Sequence, residues 1–142
     1  MALKVELKPK ERLIVGDCVI TNSDQRTRLY VSGRSPILRE KDIMRVEDAS
    51  SPAKRVYFAV QLMYLDDDVD KVQEEYFSLV NDLVKAAPST TPIVDEINNE
   101  ILTGSLYKAL KKAKKLIEYE RELIGDATTG GFGVPTNSQE NS

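Results

Sequence analysis

The dipeptide Ser51-Pro52 divides this chain into two hydrophobic rhythms, and that division limits what it can fold into. Before it, apolar residues alternate one by one; after it, they recur every three or four residues. Serine followed by proline is itself a helix start, with an N-cap hydroxyl and a residue that tolerates the first helical position. The expectation is an α+β protein with its strands first and its helices second.

In the first part Leu3, Val5 and Leu7 alternate with Lys4, Glu6 and Lys8, the period of a half-exposed strand. Pro9-Lys10 breaks that run. Arg12 to Val15 is a second run, and Gly16-Asp17 marks a tight turn into Cys18-Val19-Ile20-Thr21. After the turn Asn22 to Gln25, the stretch Arg26 to Val31 alternates again. Thr27, Leu29 and Val31 share one face; Arg26, Arg28 and Tyr30 share the other. A loop, Ser32 to Pro36, leads to a last short strand, Ile37 to Arg39. Residues 1–48 therefore predict one small, five-stranded antiparallel sheet, too little to be stable alone. Cys18, among apolar neighbours, is expected to pack as a small hydrophobe.

Residues 49–125 predict a bundle of about four helices. Val56 to Leu65 is apolar nearly all round, which requires a bundle core or a dimer interface. Asp66-Asp67-Asp68 interrupts. A second helix runs to Ala86-Ala87 with Val69, Val72, Tyr76, Leu79, Val80 and Leu83 inward. Pro88 to Pro92 reads as a linker. The third helix carries Ile93, Ile97 and Ile101 and stops near Gly104. The fourth, Leu106 to Ile124, places Leu106, Leu110, Ala113, Ile117 and Ile124 on one face, with Gly125 as its C-cap. Residues 126–142 are rich in Gly, Thr, Ser, Asn and Gln and read as a disordered tail.

Catalytic schemes fare poorly. The absence of histidine removes Ser-His, Cys-His and His-metal arrangements. A single cysteine excludes a disulfide within one chain. The Asp66–Asp70 cluster lacks the glycine and glutamate of a calcium loop, with Lys71 and Phe77 in their places, so it reads as a solvated linker before a helix N-terminus. Gly130-Gly131-Phe132-Gly133 has no Gly-Lys-Ser/Thr after it and no strand before it. No enzyme, metal or cofactor is expected. Met1-Ala2-Leu3-Lys4 leads directly into charged, alternating sequence, so a cytoplasmic location is expected.

Recognition remains. The net charge of −3 argues against a general nucleic-acid coat, but the charge is uneven. Residues 1–48 hold ten Lys/Arg against eight Asp/Glu, residues 49–104 four against ten, and residues 105–125 six against three. Arg26, Arg28 and Tyr30 on one strand face, with Lys4 on a comparable face and Arg39 closing the last strand, suit single-stranded RNA: bases stack on planar groups, and phosphates need cations. Periodicity by itself favours an ordinary solvated face. Lys108, Lys111, Lys112, Lys114 and Lys115 form a second basic patch, read as a solvated helix face because Glu118, Glu120 and Glu122 follow.

Particular blocks narrow the reading. Leu7-Lys8-Pro9-Lys10-Glu11, Ile37 through Met44, Ser51-Pro52-Ala53, Tyr57-Phe58 with Met63-Tyr64-Leu65-Asp66, and Tyr107-Lys108-Ala109-Leu110 with Leu116-Ile117-Glu118-Tyr119-Glu120 resemble the flagellar biosynthesis repressor family, FlbT. The resemblance implies a post-transcriptional regulator of flagellated alphaproteobacteria. It would act on the 5′ untranslated leader of flagellin mRNA, blocking translation and favouring decay until basal body and hook are ready. A small flagellar partner of the FlaF type acts opposite such proteins, and some relatives support flagellin expression instead.

Glu11 to Asp17, Arg28 to Val31, and Leu38-Arg39-Glu40 with Ile43 also resemble the carbon storage regulator family. Those proteins are strand-swapped dimers that clamp mRNA leaders between their first and last strands. Carried over, that resemblance places Lys4, Leu38, Arg39 and Glu40 at an RNA edge, although Leu38 stands where that family has histidine and the paired arginines of its first strand are missing. The expected partners are a flagellin mRNA leader, a FlaF-type protein and a second copy of the chain, with neither DNA nor membrane. The rival expectation is a protein-interaction adaptor whose helical part binds a flagellar protein or flagellin itself and affects RNA only indirectly.

Overall fold

The computed structural model describes residues 2–66 and 68–126. The strand region forms two small sheets rather than the expected single one. β1 (Ala2–Leu7) pairs antiparallel with β4 (Thr27–Ser32); β2 (Arg12–Val15) pairs antiparallel with both β3 (Cys18–Thr21) and β5 (Ile37–Arg39). A single sheet this small would leave an apolar face on water, and two stacked sheets cover each other. Val5, Leu7 and Leu13 form the buried centre between them, with Val15, Leu29, Val31 and Ile37 around it.

The β2–β5 ladder serves two cores at once. Val15 stands opposite Ile37, and Ile14 opposite Leu38. Because side chains alternate along a strand, Leu13, Val15 and Ile37 enter the core between the sheets, while Ile14 and Leu38 turn to the helices. Gly16, with φ of 63°, makes the two-residue β2–β3 turn, where a positive φ at the first central position is needed. Asn22 is buried and ties the neighbouring loop together. Its amide nitrogen donates to the carbonyls of Lys8 (2.8 Å) and Gln25 (2.9 Å), and its side-chain oxygen accepts from Ser23 N–H (2.9 Å).

Cys18 corrects an expectation. It is exposed, as is every residue of β3, because this edge strand pairs with β2 alone.

The helices are α1 (Pro52–Asp66), α2 (Gln73–Ala86), α3 (Thr91–Leu102) and α4 (Leu106–Asp126), with α1 packed between α2 and α4. Val56, Val60, Met63, Ile97 and Leu116 are fully buried in one shared cluster, each stabilising the fold by about 1.5–3 kcal/mol relative to exposure. Pro92 lies in the first turn of α3 rather than in a linker, where its missing N–H costs nothing. Gly125 is not a C-cap, since α4 continues to Asp126. The cap glycine is Gly104, with φ of 78°. Its N–H donates to Ile101 O (3.1 Å) and that of Ser105 to Glu100 O (2.8 Å), closing α3 in a Schellman motif. Residues 127–142, which hold most of the expected tail, lie outside the described residues.

Ser51 caps α1 as expected, its Oγ accepting the Lys54 N–H at 3.2 Å. The cap has a second part from far along the chain. Glu120 of α4 accepts from Ser51 Oγ (2.5 Å) and from Ala53 N–H (3.0 Å), placing a carboxylate on the positive end of α1.

The "apolar" helix α1 also carries a polar stripe, Tyr57, Gln61 and Tyr64, that grips the segment after β4. Tyr64 Oη accepts Ile37 N–H (3.1 Å) and donates to Ile37 O (3.0 Å). Gln61 pairs with Met44 in the same way, accepting its N–H and donating to its carbonyl, both at 2.8 Å. Tyr57 donates to Asp42 O at 2.5 Å. Among the described residues no helix is long and apolar enough to cross a membrane.

Candidate nucleic-acid interface

β1 and β5 each keep one edge unpaired, and the two edges face a common groove. One part of it, about 380 Å³, runs from Leu3, Lys4 and Val5 across to Ile37 and Arg39. A second part, about 490 Å³, lies between the loop Arg34-Ser35-Pro36 and the start of α4, Gly104 to Lys108. The two share Ser35, Tyr64 and Tyr107 and so adjoin. Among the described residues lining them, Lys4, Arg34, Arg39 and Lys108 are basic and none is acidic. A low-dielectric cleft lined by one sign of charge concentrates ions of the other sign.

Arg39 spans the gap between edges, its Nη2 donating to Glu6 O at 2.8 Å. Its Nε is the one buried side-chain nitrogen or oxygen without a hydrogen-bond partner among the described residues. Tyr64 and Tyr107 meet at a centroid distance of 5.7 Å with ring planes 49° apart. Burial raises the Tyr64 phenol above its ordinary range, while its bond with Ile37 pulls the other way. Lys111 Nζ stands 5.1 Å from the centre of the Tyr107 ring, a cation–π contact.

The sequence-predicted residues divide. Lys4 and Arg39 line the groove. Tyr30 is 67% exposed and stands directly opposite Lys4 in the β1–β4 pair. Arg28, opposite Glu6, is held by it at 3.3 Å. Arg26 is exposed and precedes β4. Glu40 accepts from Arg12 N–H (2.7 Å) and is engaged there. Leu38 is a correction: at 1% exposure it belongs to the helical core, so its side chain is no contact for a ligand. The alternation that turns Leu38 to the helices turns Arg39 to the other face, alongside Leu13 and Ile37, where it reaches Glu6 O.

The profile of the family described as "Flagellar protein FlbT" matches residues 3–124. The chain belongs to the FlbT family. It is 60% identical over 126 residues to the "Probable flagellum biosynthesis repressor protein FlbT 1" of Bradyrhizobium diazoefficiens, covering 88% of this chain and 86% of that one. To a Rhodopseudomonas palustris relative named as a FlbT repressor it is 48% identical, covering 87% and 98%. The "Flagellum biosynthesis repressor protein FlbT" of Caulobacter vibrioides is 35% identical over 92% of this chain and 94% of that one. No solved structure matches the chain. The names of these relatives are those of regulators, not enzymes.

Every groove residue of this FlbT-family chain falls within the matched span. Local pattern does not mark Arg34, and it places Lys108 and Lys111 on the same solvated helix face as the other α4 lysines. Helical geometry divides those lysines. Lys108 lines the groove and Lys111 stands over the Tyr107 ring, whereas Lys112 pairs with Glu96 of α3 at 2.9 Å, and Lys114 pairs with Asp42. The Lys112 ammonium, through its hydrogen bond, holds the Glu96 carboxyl below its ordinary range. An aromatic among lysines, Tyr107-Lys108, was the available signal.

Proposed function

We propose that this protein is a cytoplasmic repressor of flagellum biosynthesis that binds the 5′ untranslated leader of flagellin mRNA. The observation that carries the reading is the groove, basic and without a carboxylate among the described residues that line it, in an acidic protein, with two tyrosines at its centre. RNA docked there would be held by phosphate contacts to Lys4, Arg34, Arg39 and Lys108, and the ribosome-binding region would be covered. Translation is then held back and the idle message decays.

The adaptor reading draws on a different observation. Phe58, Leu62, Val72 and Leu79 line a mainly apolar recess of about 320 Å³ where α1 meets α2, with Arg55 and Glu75 also on its wall, in the acidic middle of the chain. A FlaF-type protein or a second copy of this chain would bind there, and the RNA would be reached indirectly.

Titrating a labelled flagellin leader with the intact protein at rising salt separates the two. Direct binding weakens steeply as salt is added, because each phosphate contact releases counterions. Arg39→Ala should cost about 1–3 kcal/mol of leader affinity, the scale of a contact in nucleic-acid complexes. No salt-sensitive binding by the wild-type chain would overturn the direct reading.

A further inference from the structure

We infer that Tyr107 is a stacking platform for an unpaired nucleobase, so that the groove selects single-stranded over duplex RNA. The inference rests on the RNA reading above and assigns the part of the site contributed by the helical bundle. Tyr107 lines both parts of the groove, is 44% exposed, and is backed by Tyr64. Tyr64 cannot turn away, because its hydroxyl both accepts from and donates to the backbone of Ile37. The ring that backs the platform is thus fixed before any ligand arrives.

The ring already holds a cation, the Lys111 ammonium. An incoming base takes that place on the π-face and leaves the ammonium to a neighbouring phosphate. Arg34 and Lys108 line the same cavity, one on the loop side and one on the α4 side. Beside the ring, the position where Gly104 would carry a Cβ has nothing within 4 Å, so the backbone there leaves room for a sugar. At about 490 Å³ the cavity is within the range of small-ligand pockets, the size class of a single nucleotide. Bases inside a duplex are already stacked on each other and cannot reach the ring. Stacking on a π-face is tolerant of base identity, so strandedness rather than sequence is selected here.

The test compares, by fluorescence anisotropy at one salt concentration, a leader-derived single strand with the same strand annealed to its complement. Wild-type protein should prefer the single strand. Tyr107→Leu should weaken single-strand binding roughly 5- to 150-fold, the scale of one lost base–aromatic stack, with duplex binding unchanged. Tyr107→Phe should retain the preference. If wild type binds the single strand and a folded Tyr107→Leu binds it equally well, the platform is wrong and the RNA reading stands. If wild type binds neither RNA, both fall. Should Tyr107→Leu fail to fold, photocrosslinking of wild type to a 4-thiouridine RNA decides: adducts on residues 104–111 support the platform, and adducts confined to residues 1–48 overturn it.

Discussion

Asp42 and Lys114, separated by 72 positions, form an ion pair that ties the segment after β5 to α4. The carboxylate is only 6% exposed, and its own backbone carbonyl accepts the Tyr57 hydroxyl. Lys114→Met strands a buried carboxylate and should destabilise the fold by ~1–3 kcal/mol, the Lys end being partly open to water. Adding Asp42→Asn should restore part of that loss. Denaturant unfolding of both singles and the double measures the coupling. Strict additivity would mean that the pair carries no interaction.

Gln61 is a stronger tether than its polar character on an apolar helix advertises. Gln61→Leu leaves the Met44 N–H and carbonyl without the partners they now have at 2.8 Å. A loss of ~2–3 kcal/mol is expected, from two half-buried groups left unsatisfied. Tyr64→Phe, which removes a hydroxyl and keeps the ring, should cost less. Equal, negligible losses in urea midpoints would show that water replaces the Met44 contacts freely.

The carboxylate of Glu120 on the α1 N-terminus should show itself in thermal melts. Glu120→Ala removes the acceptor for Ser51 Oγ and Ala53 N–H and should cost ~1–2 kcal/mol, the scale of a lost N-cap. Glu120→Gln keeps an acceptor without the charge and should lie between. A Glu120→Ala melt matching wild type would mean that Ser51 caps the helix unaided.

Alkaline pH should unfold this protein selectively. Burial raises the phenols of Tyr57, Tyr64 and Tyr76 above the ordinary value of 10.0, and the Asp42 charge adds to the effect at Tyr57. Below about pH 10 both folded and unfolded chains keep these protons, so their contribution is whole. Above it the unfolded chain loses protons that the native one retains, and stability falls as pH rises. Urea midpoints should be level from pH 8 to 9 as far as these groups are concerned and should drop from pH 10 upward. Tyr76→Phe should flatten that limb. A midpoint unchanged to pH 12 would contradict the burial of these hydroxyls.

Charge reversals should rank by position. Arg34→Glu and Lys108→Glu place carboxylates in a groove lined by basic side chains and should weaken leader binding more than Arg28→Glu, since Arg28 is already engaged by Glu6. Retention assays on the three variants at one salt concentration give the order. A larger loss for Arg28→Glu would move the RNA path to the outer face of the β1–β4 pair.

Much of the fold was legible in the residues themselves. Alternation in Leu3–Leu7 and Thr27–Val31 specified strands because side chains on a pleated ribbon point to opposite faces, and Ser51-Pro52 specified a helix start through its hydroxyl and fixed φ. Strand alternation likewise set Lys4 and Arg39 apart from the core positions Val5 and Leu38. What local pattern could not supply was partnership over distance. Whether five strands make one sheet or two depends on which apolar face needs a cover. Whether Cys18 is buried depends on what lies beyond an edge strand. The fates of the α4 lysines depend on what each side chain meets: Glu96 for Lys112, Asp42 for Lys114, the Tyr107 ring for Lys111. Sequence by itself determined the elements, because their signals lie within a few residues. Tertiary structure alone decided the groove, because its walls come from β1, β5, the Arg34 loop and α4, and their charges form one site only where packing brings them together.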